Sequence, residues 1–221
     1  MDRASSYIGV LIDDLTTKGT LEPYRMFTSR VEYRLILRED NADLRLRKIG
    51  YNLGLVSKKD YLNTERKIEA IKQGRKILKE TSLKPIAELN SRLLGLGTSA
   101  INKATSLEEI LKRPQIKLED LKKLNQRKIN IPESALRQVE IEVKYAGFIE
   151  RQLKEVERFK NLENIRLPQD LDFASVPSLS REIKEKLNKI KPVNLGQAAR
   201  ISGVTPAAIS ILMIYLKKLH G

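Results

Sequence analysis

Between residues 132 and 164, apolar side chains recur at three- and four-residue steps: Val139, Val143, Ala146, Ile149, Leu153, Val156 and Phe159. That period lays one stripe along a helix and has no counterpart on a strand, where the repeat is two. Pro132 and Glu133 open the stretch and Leu167-Pro168 closes it, so the pattern predicts a rod of about 45 Å at 1.5 Å per residue. A rod of that length needs partners along its apolar stripe, and the rest of the chain supplies segments of helical length.

Residues 2–18 read as an amphipathic helix, with Tyr7, Val10, Leu11, Asp14 and Leu15 at helical spacing and Lys18-Gly19 as a basic last turn and C-cap. Residues 57–80 read as a second, with Tyr61, Ile68, Ile71 and Leu78 toward a core. Short helices fit 86–94, 106–112 and 117–124 within a choppier stretch containing Pro85 and Pro114. Three more fit 179–190, 194–201 and 205–219. No segment reads convincingly as a strand. The expected fold is therefore all-α: a helical bundle with one long helix over residues 1–166, and a small three-helix C-terminal subdomain over 167–221.

Composition narrows the chemistry. The chain has no cysteine, which excludes disulfides, thiolate catalysis and cysteine metal sites within it. Its one histidine, His220, lies next to the end, a poor place for acid–base or metal work. No run of about 18 apolar residues exists to span a membrane, and the start lacks the features of a signal peptide; a cytoplasmic location is the expectation. Against 28 acidic residues stand 42 Lys and Arg, a formal net charge of +14. Such an excess favours a polyanionic partner, because cations that neutralise phosphates release counterions.

Three segments could carry that charge to a ligand. In 57–80, Lys72, Arg75, Lys76 and Lys79 crowd the arc opposite the apolar one, a row that could hold a phosphate backbone without reading bases. In the run EPYRMFTSRVEYRLILREDNADLRL at 22–46, a helical projection gathers Arg34, Arg38, Asn41 and Arg45 within an arc of about 60°; Arg25 and Arg30 precede them. The same run admits other readings: YRLILR alternates like a strand, and Asp40-Asn41 suits a helix boundary. Its arginines fit an internal salt-bridge network or interdomain seam as well as they fit anion binding. At the C-terminus, Thr205 is a good N-cap and Pro206 suits the first helical position. Ile209, Leu212 and Leu216 then face a core, leaving Ile211, Ile214, Tyr215, Lys217 and Lys218 for a partner.

Two sequence signals point elsewhere. Ala199, Gly203, Val204 and Ile209 match helix-turn-helix spacing, which makes a DNA-binding protein the main alternative. The would-be recognition turn, Pro206, Ala207, Ala208 and Ile209, however, lacks base-reading side chains. GLGTSA at 95–100 fits G-x-G-x-x-A, but no apolar strand precedes it, so a dinucleotide site is not expected.

The 22–46 run, LGL at 53–55, VEIEVKYAGFIERQ at 139–152 and LGQAARISGVTPAAISILMIYLKK at 195–218 together resemble one family. It is the bacterial tRNA uridine-5-carboxymethylaminomethyl modification family, also called the glucose-inhibited division protein A family. The resemblance is weakest at 84–130 and places the chain in that family's helical C-terminal region. It implies that the full-length protein uses FAD and NADH, forms a homodimer, and works with a GTPase subunit at the wobble uridine of tRNA. It further implies that this chain lacks the flavin fold and catalytic cysteines, and so is not catalytic alone. Its expected role is then tRNA binding and GTPase docking, with a purely structural scaffold between domains as the remaining possibility.

Overall fold

The computed structural model describes residues 1–17, 22–124 and 131–220, leaving aside the side chain of His220. The Lys18-Gly19 cap expected from the sequence lies outside the described residues. Eleven α-helices account for most of them, with a single two-residue ladder. The all-α expectation holds. The chain divides into two compact units, residues 37–150 and residues 1–36 with 151–221. This differs from the 166/167 division read from the sequence, because the first 36 residues gather with the C-terminal part.

In the 37–150 unit, α2 (Ala42–Asn52), α3 (Lys58–Glu80), α4 (Ala87–Gly95), α5 (Leu107–Leu111), α6 (Leu118–Leu124) and α7 (Glu133–Lys144) share one core. Leu78, Leu93, Leu107, Ile110, Leu121 and Val139 are sealed within it. The longest helix is α3. Ser57 begins it by accepting a hydrogen bond from the Asp60 N–H at 3.1 Å, which satisfies one of the orphan donors of the first turn. Of its expected apolar face, Ile71 and Leu78 are buried and Tyr61 and Ile68 half-buried. Gly74 lets α7 come close: a β-carbon there would stand 3.0 Å from Val139 Cγ2 and 3.1 Å from Ile131 Cδ1. After α3, β1 (Ser82–Leu83) pairs antiparallel with β2 (Thr105–Ser106), Ser82 opposite Ser106, and so ties the end of α3 to the start of α5. GLGTSA is a helix stop: Gly97 has φ +73, and the Thr98 N–H reaches back to the Leu93 carbonyl.

The expected 133–164 rod is two helices, α7 and α8 (Ala146–Glu163), separated by Tyr145 at φ −103, ψ 11. Gly147, a poor helix former, follows the break. An apolar period reports which face is covered and does not report continuity, so a one-residue interruption leaves it intact.

In the other unit, α1 (Tyr7–Thr17) is shorter than the 2–18 expected. Helices α9 (Arg181–Ile190), α10 (Leu195–Arg200) and α11 (Pro206–His220) enclose Phe173, Val176, Leu187, Leu195 and Leu212. Each starts on a side-chain cap: Ser180 to Ile183 at 3.4 Å, Asn194 to Gln197 at 2.8 Å and Thr205 to Ala208 at 3.2 Å. Gly203, at φ +92, makes the turn between α10 and α11. None of the described helices is long and apolar enough to cross a membrane.

Candidate nucleic-acid interface

Because the core side of α3 is fixed by Ile71, Gly74 and Leu78, its opposite arc is forced outward. Lys72, Arg75, Lys76 and Lys79 are all exposed there. They line one open cleft of about 730 Å³, whose floor is Leu44, Ile68 and Ile71 and whose rim carries Glu80, Glu108 and Glu142. Arg75 is the one held in place, with Nη1 3.4 Å from Glu142 Oε2 and Nη2 3.9 Å from Glu108 Oε1. Lys72, Lys76 and Lys79 have no hydrogen bond or ion pair among the described residues. Successive turns thus present three ammonium groups to solvent over an apolar floor. That arrangement suits a chain of phosphates and lacks any ring on which a base could stack.

The 22–46 run is not a helix before Ala42. Two short 3₁₀ turns, Thr28–Arg30 and Glu39–Asn41, and a turn closed by the Ile36 N–H on the Tyr33 carbonyl at 3.1 Å punctuate a path without regular structure, and α2 begins where Asp40-Asn41 suggested a boundary. From 31 to 34 the burial alternates, with Val31 and Tyr33 inside and Glu32 and Arg34 outside, as on a strand. The backbone finds its partner in a side chain. Gln152 accepts from the Leu35 N–H at 3.2 Å and donates to the Glu32 carbonyl at 3.5 Å, as a neighbouring strand would.

The helical projection therefore fails for the arginines, although folding gathers three of its four polar residues by another route. Arg38 donates to Asp40 at 2.9 Å and to Gln138 on α7 at 2.8 Å. Arg45 donates to Asn41 at 2.9 Å and to the Arg38 carbonyl at 3.0 Å. Gln138, itself buried, returns a bond to the Asp40 carbonyl at 2.8 Å. These donors fasten the turn before α2 onto α7. Arg34 belongs to the other unit and donates to the Val31 carbonyl at 3.2 Å.

Sequence reasoning missed the densest charge cluster of all. Arg3, almost fully buried, donates to Asp14 at 2.6 Å, Asp13 at 3.0 Å and Glu32 at 2.7 Å. Arg200 pairs with Asp13 at 2.7 Å and Glu163 at 2.8 Å. Asp14 also accepts from Tyr24 at 2.9 Å and from Arg30 at 3.4 Å, and the Arg30 guanidinium lies 4.6 Å above the Tyr24 ring. The carboxylate partners keep Arg3 more firmly protonated than an ordinary arginine, outweighing its burial. Burial raises the Tyr24 phenol, with Asp14 adding to the shift, and pushes Tyr33 up to about 12, with Glu32 adding to it. The available signal was Asp14, a carboxylate on the apolar face of α1. Arg25 is exposed and has no partner among the described residues.

At the C-terminus, Ile209, Leu212 and Leu216 are buried as expected, and Ile214, Lys217 and Lys218 are exposed. Ile211 and Tyr215 face outward less than expected, because both pack against the subdomain core and the Tyr215 hydroxyl lies 3.3 Å from Ser175 Oγ. Two helices, α10 and α11, flank the Gly203 turn as the helix-turn-helix spacing requires, yet Ala208 and Ile209 in the first turns of α11 are buried and cannot reach a base edge.

Residues 58–153 match the family described as the tRNA modifying enzyme MnmG/GidA C-terminal helical domain, and residues 155–221 its C-terminal helical bundle. The chain is 48% identical over 218 residues to a tRNA uridine 5-carboxymethylaminomethyl modification enzyme MnmG of Caldicellulosiruptor saccharolyticus, covering 99% of this chain and 35% of that protein. It is 50% identical over its whole length to the enzyme of the same name from Pelobacter propionicus, again 35% of that protein. A crystal structure of Aquifex aeolicus GidA superposes with a TM-score of 0.73 at 40% identity, covering 98% of this chain and 33% of the other. The chain spans about a third of the length of the curated relatives it matches.

Proposed function

Because this chain belongs to the MnmG/GidA family and corresponds to its C-terminal helical region, we propose that it is the tRNA-binding and partner-docking part of an enzyme that modifies the wobble uridine. One observation carries the reading: Lys72, Lys76 and Lys79 line a single cleft with Arg75 and spend their charges on nothing else among the described residues. Structured RNA is held largely through shape and phosphate contacts, which is what such a row supplies. The chain acts without chemistry of its own. The whole protein, on this reading, is a cytoplasmic homodimer that uses FAD and NADH, bound outside this region, and recruits a GTPase subunit. The exposed end of α11, at Ile214, Lys217 and Lys218, is the docking face for that subunit.

The test is a salt titration of tRNA binding against a duplex DNA of equal charge. Replacing Lys72, Lys76 and Lys79 together by Ala removes three phosphate contacts, so the salt slope for tRNA should fall by about 2 to 3. Far-UV circular dichroism should stay unchanged, since the three side chains are exposed. Equal slopes for the two proteins would refute the lysine row as the RNA contact, tRNA bound no better than duplex DNA would refute tRNA recognition, and no binding to either would favour a purely structural scaffold.

A further inference from the structure

We propose that residues 25–29 form a base-stacking finger: Phe27 receives the face of an unpaired nucleobase while Arg25 pairs with the adjoining phosphate. The proposal rests on the RNA-binding reading above and assigns it a second, chemically different contact.

The finger is built from both ends on one buried carboxylate. Tyr24 donates its hydroxyl to Asp14 at 2.9 Å and Arg30 donates to the same carboxylate at 3.4 Å, while the Arg30 guanidinium covers the Tyr24 ring. Arg3 anchors Asp14 and also takes the Arg30 carbonyl at 3.1 Å. The five residues between the anchors are all exposed. Their backbone is nonetheless ordered by its own bonds, Phe27 to the Arg25 carbonyl at 3.1 Å, Arg30 to the Phe27 carbonyl at 3.0 Å and Val31 to the Thr28 carbonyl at 3.1 Å.

The content of the finger is unusual for a surface turn. Phe27 is 52% and Met26 44% exposed, side by side, in a turn that the anchors hold outward. Arg25 has no partner among the described residues, and no acidic residue lies between 25 and 29. An exposed ring next to a free guanidinium, flanked by the hydroxyls of Thr28 and Ser29, is the equipment for single-stranded nucleic acid: a π-face for the base and a cation for its phosphate. Inside a duplex the base faces are stacked on one another and closed to such a ring. Because the clasp fixes the turn beforehand, binding loses little chain entropy.

The chain contains no tryptophan, so Phe27→Trp places a lone indole on the finger. It is titrated with an RNA hairpin bearing an unpaired loop and with blunt RNA duplex, binding being followed independently by anisotropy of the labelled RNA. The hairpin should quench the indole with the same midpoint as the anisotropy, and the duplex should not. Phe27→Ala should weaken hairpin binding roughly 5- to 150-fold, the range one stacked base carries, with duplex binding unchanged. Arg25→Ala should lower the salt slope by about 1. Hairpin binding by anisotropy with unmoved indole emission and a wild-type affinity for Phe27→Ala would overturn the finger while leaving the lysine cleft standing; the exposed ring would then be a protein contact. Absence of binding to either RNA would overturn both.

Discussion

Replacing Asp14 by Ala should destabilise the unit formed by residues 1–36 and 151–221 by about 3 kcal/mol. The carboxylate is 2% exposed and its first partner, Arg3, 7% exposed. Removing one member of a buried ion pair costs about 3–5 kcal/mol, because the remaining charge stays out of water. Arg3 would keep Asp13 at 3.0 Å and Glu32 at 2.7 Å, which places the loss at the low end. The Tyr24 hydroxyl bond lost with it adds about 1 kcal/mol, partly recovered as that hydroxyl turns to water. Glu32→Gln is the control: it removes a pair of 2.7 Å, against 2.6 Å for Asp14, to the same arginine, but Glu32 is 48% exposed and its loss should stay below about 1 kcal/mol. Urea unfolding by circular dichroism gives the magnitudes. Hydrogen exchange locates them, with protection falling in residues 1–36 and 151–221 and unchanged in 37–150. Equal costs for the two variants would show that burial is not what makes the Asp14 pair matter.

Two further outcomes follow from the same geometry. Burial holds the Tyr33 phenol neutral, up to about 12 against an ordinary 10.0, so the folded state loses this proton later than the unfolded one. Its contribution is present below pH 10 and disappears as pH rises through 12; spectroscopic titration should lose a late-titrating phenol near 12 in Tyr33→Phe, and an unchanged titration curve in that variant would contradict the burial. On α11, Ile214→Asp should abolish capture of the GTPase subunit with helicity intact, because Ile214 is exposed, whereas Tyr215→Ala should also loosen the subdomain through its packing and the Ser175 contact. Capture that survives Ile214→Asp would remove that face from consideration.

The helices were legible wherever local signals sufficed. Residues 86–94, 106–112 and 117–124 were expected to be helical and are so to within about a residue at each end, since short amphipathic segments announce themselves by period and by their breakers. For the 22–41 stretch the sequence offers a helical projection and a strand-like alternation without deciding between them, because its backbone partner is a side chain, Gln152, 117 residues from Leu35. No periodicity can report a bond of that kind. The Arg3 cluster was hidden for the same reason: Asp13 and Arg200 are 187 residues apart, and only Asp14, on the wrong face for a carboxylate, betrayed it locally.

The cations divide by chemistry in a way that composition conceals. Arginines carry the internal work: Arg3 and Arg200 each join two or more carboxylates, Arg38 and Arg45 fasten the turn before α2, and Arg30 closes the finger. A planar guanidinium with five donors suits such multiple bonds, and its weaker hydration makes burial cheaper. Lysines dominate the unpartnered charge of the α3 cleft, where a hydrated point charge on a flexible stem can follow an irregular phosphate path. The arginine-rich run that marks the family is thus mainly architecture. Arg25, like Arg158 and Arg166, is an exposed guanidinium with no side-chain partner among the described residues. What sets it apart is its place: it stands on a turn clasped at both ends on Asp14 and beside an exposed phenylalanine, the pairing of cation and ring that a single-stranded nucleic acid uses.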